Sequence, residues 1–127
     1  MIATSPAEAC LLTLLWSSSD GEHESLEDFD PSPSLVDRVA DDWEIFRHTL
    51  ELWGFDPEVC RRTAFSDNRD PWDYVAHDFI LTRNGHGAGF LDGDWLNPWG
   101  EKISKLIRSS FGELEIYLGD DGFLYPF

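Results

Sequence analysis

Across residues 35–53 the apolar positions Val36, Val39, Trp43, Phe46, Leu50 and Trp53 step by three or four, a continuous stripe along one face of a helix. Asp37, Asp41, Glu44, His48 and Glu51 step the same way, two positions removed from that stripe. Two positions are about 200° around a helix axis, so these polar residues face away from the core. Ser32 or Ser34 is placed to cap the start and Gly54 to stop the end. A second helix is predicted over residues 6–17, "PAEACLLTLLWS". Ser5 stands as its cap, Pro6 at its first position, and Ala9, Leu12, Leu15 and Trp16 near one face. The connector "SSSDGEHESLEDFDPSPS" is polar and acidic, anchored only by Leu26 and Phe29. Asp56-Pro57 opens a further helical turn in "DPEVCRRT", and "SDNRDPWD" reads as a loop leading into a turn over residues 71–75.

The spacing then shifts towards two. "HDFILTR" and "HGAGFLD" read as strands flanking Asn84-Gly85, a pair suited to a two-residue type I′ turn because both turn positions need positive φ. That register pairs Arg83 with His86, Leu81 with Ala88 and Phe79 with Phe90. Gly87 and Gly89 then lie opposite Thr82 and Ile80, leaving room for a helix or for Trp95 or Trp99 to approach closely. "NPWGEKISKLIRSSFG" predicts a helix capped by Asn97, with Pro98 at its start, Gly112 as its stop, and Trp99, Ile103, Leu106 and Ile107 on its apolar face. "ELEIYLG" and "FLYPF" read as strands joined by a turn at Asp121-Gly122. The expected fold is α+β, with N-terminal helices packed on a small antiparallel sheet of ββαββ order. One domain is expected over residues 1–127, mainly helical and acidic over 1–76 and ββαββ over 77–127.

Composition narrows this picture. Hydrophobic residues make up 42% of the 127, with six Trp and nine Phe, enough for a packed core. No run approaches the roughly 18 apolar residues of a membrane span. The N-terminus has no basic start or small-residue cleavage site, and Glu8 precedes its apolar stretch. The expectation is a soluble, intracellular protein with Cys10 and Cys60 reduced and packed.

Charge adds the feature that hydropathy does not show. The chain carries −16, and the imbalance is lopsided: residues 1–60 hold fourteen acids and two bases, a net of −12, against eleven acids and seven bases, a net of −4, in the remainder. Such a chain is repelled by nucleic acid and by anionic membrane, and is drawn to a basic partner. Ten acids fall in one stretch: Asp20, Glu22, Glu24, Glu27, Asp28, Asp30, Asp37, Asp41, Asp42 and Glu44, with Arg38 the single base among them. Helical neighbours such as Asp37 and Asp41 repel each other by a few tenths of a kcal/mol. Turn-by-turn carboxylates about 5–6 Å apart approach the phosphate spacing of a nucleic-acid strand, so a rigid acidic face can occupy a groove built for phosphates. A solvated, purely solubilising face is the competing reading.

Catalytic signals are weaker. The glycines of "RNGHGAGF" follow G-x-G-x-G rather than the dinucleotide pattern, no Gly-Lys-Ser/Thr is present, and Asp92 and Asp94 follow directly. The predicted hairpin could bring His77, Asp78, His86 and Asp92 or Asp94 together as a metal or acid–base group, though H-x-x-x-H and C-x-x-C spacings are absent. A structural role for His77 and His86 at strand and turn is the alternative. No G-x-S-x-G occurs, neither Cys has an evident His partner, and Asp120-Asp121-Gly122 lacks the ligand alternation of a calcium loop.

The stretch "AHDFILTRNGHGAGFLDGDW" and the ending "FGELEIYLGDDGFLY" resemble a family of small acidic proteins encoded by bacteriophages, with the shared pattern H-D-F-x-L-T-R-N-G-H-G-A-G-F and an ending like Y-x-G-D-D-G. The acidic "LLWSSSDGEHESLEDFD" fits the same family's upstream region, whereas "NPWGEK" and the terminal "YPF" depart from it. The resemblance implies a phage source, and with it the host bacterial cytoplasm; the family has no established catalytic activity, so it supplies a source more than a mechanism. In size and charge the chain is also similar to anti-CRISPR and anti-restriction proteins that mimic DNA. The combined expectation is a non-enzymatic inhibitor without cofactor or metal, monomeric or homodimeric. Glu22, Glu24, Glu27, Asp28, Asp30, Asp37, Asp41, Asp42, Glu44 and Glu51 would dock on the basic DNA-binding surface of a host defence complex, foremost a type I CRISPR surveillance complex. It would bind neither nucleic acid nor membrane directly. The alternatives are a metal-dependent or hydrolytic phage enzyme using His77, His86 and Asp92, and a structural or regulatory phage protein.

Overall fold

The computed structural model describes residues 5–62, 69–85 and 89–127. In chain order the elements are α1 (Pro6–Ser17), β1 (Asp30–Pro31), α2 (Pro33–Leu52), α3 (Pro57–Cys60), α4 (Pro71–Arg83), α5 (Trp99–Ser110), β2 (Ile116–Leu118) and β3 (Phe123–Pro126). Helices with a small sheet make the fold α+β, but the ββαββ order is not present. The sheet has three strands in the order β1-β3-β2, with β1 parallel and β2 antiparallel to β3.

The largest departure lies in "HDFILTR", which is the second half of α4 rather than a strand. Asp70 caps that helix, accepting from the Trp72 amide at 3.0 Å, and Pro71 occupies its first position. Val75, Ala76, Asp78, Phe79, Ile80, Leu81 and Arg83 are all buried, so the helix is wrapped on most of its circumference and its periodicity is masked. Asn84-Gly85 ends the helix instead of turning a hairpin. Only Gly85 takes positive φ, at 72°, while Asn84 sits at −97° where a type I′ turn would need it positive. The Asn84 amide donates back to the Ile80 carbonyl at 3.1 Å. Arg83 and Leu81 are helical residues of α4, and the partners predicted for them, His86 and Ala88, lie outside the described residues. Phe79 and Phe90 meet through Phe46 of α2, stacked on Phe79 at 4.2 Å and 6.1 Å from Phe90. Gly89 does serve close approach, but to Thr82: a Cβ there would stand 2.0 Å from the Thr82 hydroxyl oxygen, which accepts the Phe90 amide.

The other predicted elements form with shifted faces. α1 spans the expected residues, with Ser5 accepting from the Glu8 amide at 3.2 Å. Its buried residues are Ala9, Cys10, Thr13, Leu14 and Leu15, packed mainly on α4, while Trp16 is 47% exposed. α2 begins two residues earlier than the stripe predicted, with Ser32 as its cap. Leu35 is buried in place of Val36, and Val39, Trp43, Phe46 and Leu50 follow as expected. In α5 the cap position is Pro98, after a cis Asn97–Pro98 peptide, and no side chain caps the helix. Gly54, Gly112 and Gly122 turn the chain where the sequence placed stops and turns, each with positive φ. At the β2–β3 turn the Tyr125 hydroxyl donates to Asp121, which holds that carboxyl below the usual carboxylate range.

One buried cation ties the layers together. The Arg83 side chain is 1% exposed. Its guanidinium donates to Asp42 Oδ2 of α2 at 3.0 Å and to the carbonyls of Gly112 at 2.9 Å and Phe111 at 3.3 Å, beyond the end of α5. It thus caps the negative end of one helix while pairing with a carboxylate of another. Burial pulls the guanidinium down from its ordinary value, and the Asp42 carboxylate opposes that.

Candidate partner-binding surface

Local sequence decides where the carboxylates point. The connector between α1 and α2 is pinned at Leu26, which is fully buried and whose amide reaches the carbonyls of Leu15 and Ser18. Phe29 packs partly under the same core, and β1 joins the sheet through Asp30 and Pro31 opposite Phe123 and Leu124. With only those apolar anchors inward, Glu22, Glu24, Glu27, Asp28 and Asp30 are all exposed. On α2, Asp37, Asp41, Glu44 and Glu51 are exposed on the side opposite Val39, Trp43 and Phe46.

The ten carboxylates are not equivalent. Asp42 is turned inward, its side chain 16% exposed, and holds both Arg38 at 3.1 Å and Arg83 at 3.0 Å. Glu44 and Glu51 share Arg47 at 2.8 and 2.6 Å, and both bonds raise the arginine's proton affinity. Both cations of residues 5–60, Arg38 and Arg47, are therefore taken by α2's own acids. Among the described residues no cation pairs with Glu22, Glu24, Glu27, Asp28, Asp30, Asp37 or Asp41. Asp20 is held below the usual carboxylate range, first by the Glu22 amide and further by His23, whose amide and ring nitrogen lie 2.6 and 3.0 Å away.

The fold adds acids that no motif marked. Asp20 shares a groove of about 560 Å³ with Glu113 and Glu115, walled also by Tyr117 and Phe127 and by the outer edge of β2. Asp20 lies over ninety residues before Glu113 and Glu115 in the chain, so only the tertiary fold brings it to them. An unpaired strand edge beside carboxylates and exposed aromatics suits an extended cationic segment.

Of the histidine grouping, the described residues bring together His77 and Asp78, with Nδ1 and Oδ1 3.3 Å apart. His77 and Asp78 are on α4, and Asp92 and Asp94 are exposed in the segment that leads to α5. Asp78 is buried and accepts the Trp95 indole N–H at 2.7 Å, a packing role. The His77 ring lies 6.0 Å from Trp16, and His86 is outside the described residues. Among the described residues no group of three or more His, Cys, Asp or Glu could hold a metal ion. Cys10 and Cys60 are free and buried, and burial pushes the Cys10 thiol far up. No described helix is long and apolar enough to cross a membrane. The chain matches no known protein family, no curated protein and no solved structure.

Proposed function

We infer that the chain is a binding protein that acts through its acidic surface, occupying a cationic nucleic-acid-binding groove of a bacterial defence complex and so excluding the nucleic acid. A type I CRISPR surveillance complex is the first such partner to test. One observation carries this reading: seven exposed carboxylates on the connector and on α2 have no cationic partner among the described residues, while both arginines of that half are spent on neighbouring acids. Placing so much like charge together costs stability through self-repulsion, and a basic partner is what would return that cost.

The unpaired carboxylates are the ones to reverse. A Glu27→Lys, Asp37→Lys, Asp41→Lys triple variant is expected to compete about a hundredfold less well with target DNA for the purified complex, because three attractive contacts become repulsive. Its unfolding midpoint should be unchanged or higher, since like-charge repulsion is relieved. Glu44→Gln, at a carboxylate already matched by Arg47, should have a small effect. Competition by the wild-type chain should weaken steeply between low and physiological salt. A wild-type chain that leaves DNA binding undisturbed at any salt, or a triple variant that competes as well as wild type, would overturn the reading.

A further inference from the structure

Three of the nine bases of this acidic chain line one cleft. Of nine bases, Arg38, Arg47 and Arg83 are bonded to acids, whereas Arg62, Lys105 and Arg108 line a single cavity of about 290 Å³ between α5 and residues 90–97. None of these three has an acidic partner among the described residues. Glu101 is the one acid on the cavity wall, so the local balance is positive on a chain of −16. Backbone pairing fixes this arrangement. The Leu96 amide donates to Cys60 at 2.7 Å and the Arg62 amide to Asp94 at 2.8 Å, which draws Arg62 alongside α5. Asp92 and Asp94, which follow the glycine motif, are not on the wall.

Two further features of the cleft point to an anion. The first turn of α5 borders it at Gly100 and Glu101; that helix of 12 residues has no side-chain cap, and while the Trp99 amide is taken by the Leu96 carbonyl at 2.9 Å, the Gly100 and Glu101 amides are left to an acceptor. Ser104, one turn on, is 1% exposed, and its buried hydroxyl has no hydrogen-bond partner among the described residues. Ser104 lines this cavity and also the adjoining one of about 190 Å³, where Arg108 meets Gly85 and Gly89 from the two ends of the glycine motif. A buried hydroxyl without a partner is costly, and an acceptor oxygen brought by a ligand at the cleft would relieve it. Phe90, Leu91 and Trp95 supply apolar wall beside the cations, which suits an anion with an organic body.

We propose that the cleft between α5 and residues 90–97 binds a small organic phosphate, its phosphate held by Arg62, Lys105, Arg108 and the open first turn of α5, with Ser104 donating from below. The site is distinct from the acidic surface and does not depend on the partner proposed for it. Amide chemical shifts of the whole chain, followed while inorganic phosphate, adenosine 5′-monophosphate or adenosine is added, test this directly. Phosphate and the monophosphate should move the Gly100 and Glu101 amides saturably, the monophosphate binding about tenfold more tightly, and adenosine should move neither. A Lys105→Gln, Arg108→Gln variant should lose the response. Ser104→Ala should bind several-fold more weakly while its urea midpoint holds or rises, a split that a purely structural serine would not give. Unmoved α5 amides, a response retained in the double variant, or Ser104→Ala losing stability with affinity intact would each overturn the assignment.

Discussion

Arg83→Met is expected to lower the unfolding free energy by about 3–5 kcal/mol, the usual result of breaking a buried pair by removing one partner. The carbonyls of Phe111 and Gly112 lose their donor at once, and Asp42 Oδ2 is left with Arg38 alone. Among the described residues no other side chain donates to these carbonyls, and α5's own last-turn base, Arg108, is exposed. Arg83→Lys should recover little, since an ammonium cannot span three acceptors that the planar guanidinium serves as a fork. At about 3 °C per kcal/mol for a chain of this size, either variant should melt about 10 °C below wild type. A loss under about 1 kcal/mol in urea titration would mean that Asp42 and the α5 end are satisfied by water, and that the clamp carries no weight.

The second large effect is expected at Phe46. Its ring is fully buried and nearly parallel to Phe79 at 4.2 Å and 9°, with Trp43 and Phe111 both 5.9 Å away. Phe46→Ala should cost about 3–5 kcal/mol, part transfer and part cavity, because α2, α4, α5's end and Phe90 all meet there and cannot collapse together. Phe46→Leu should cost well under half of that. Arg83 lies over the Phe79 and Phe111 rings, at 5.3 and 5.6 Å, so the two substitutions share neighbours. The double variant should therefore lose less than the sum of the singles in a double-mutant cycle. Strict additivity would show that the aromatic cluster and the arginine clamp are independent.

Legibility followed amphipathicity. α2 was readable because one of its faces is wet, so Val39, Trp43, Phe46 and Leu50 stand out against Asp37, Asp41 and Glu44. α4 was not, because α1, α3 and α5 cover it and the buried Asp78 and Arg83 break what apolar period remains. A short apolar run ending in Asn-Gly fits a buried helix with a glycine stop as well as it fits a strand and a turn. Only the sign of φ at Asn84 separates them. The acidic surface was legible as composition, yet its pairing was not. Asp42 looks like its neighbours in sequence, and its inward turn depends on Arg83, forty-one residues away. Glu113 and Glu115 carried no local signal that they share a groove with Asp20.

By itself the sequence determined what depends on neighbours along the chain. These are the extents of α1 and α5, the core stripe of α2, the glycine stops, the β2–β3 turn, and the excess of negative charge in the first half. The tertiary structure decided everything that needs two distant segments. It made a helix of "HDFILTR", paired β1 in parallel with β3, committed Asp42 to Arg83, and gathered Arg62, Lys105 and Arg108 beside Ser104. The physical reason is common to all four. Backbone preference and periodicity act over a few residues, whereas burial and charge pairing act between whichever groups the packed core brings into contact.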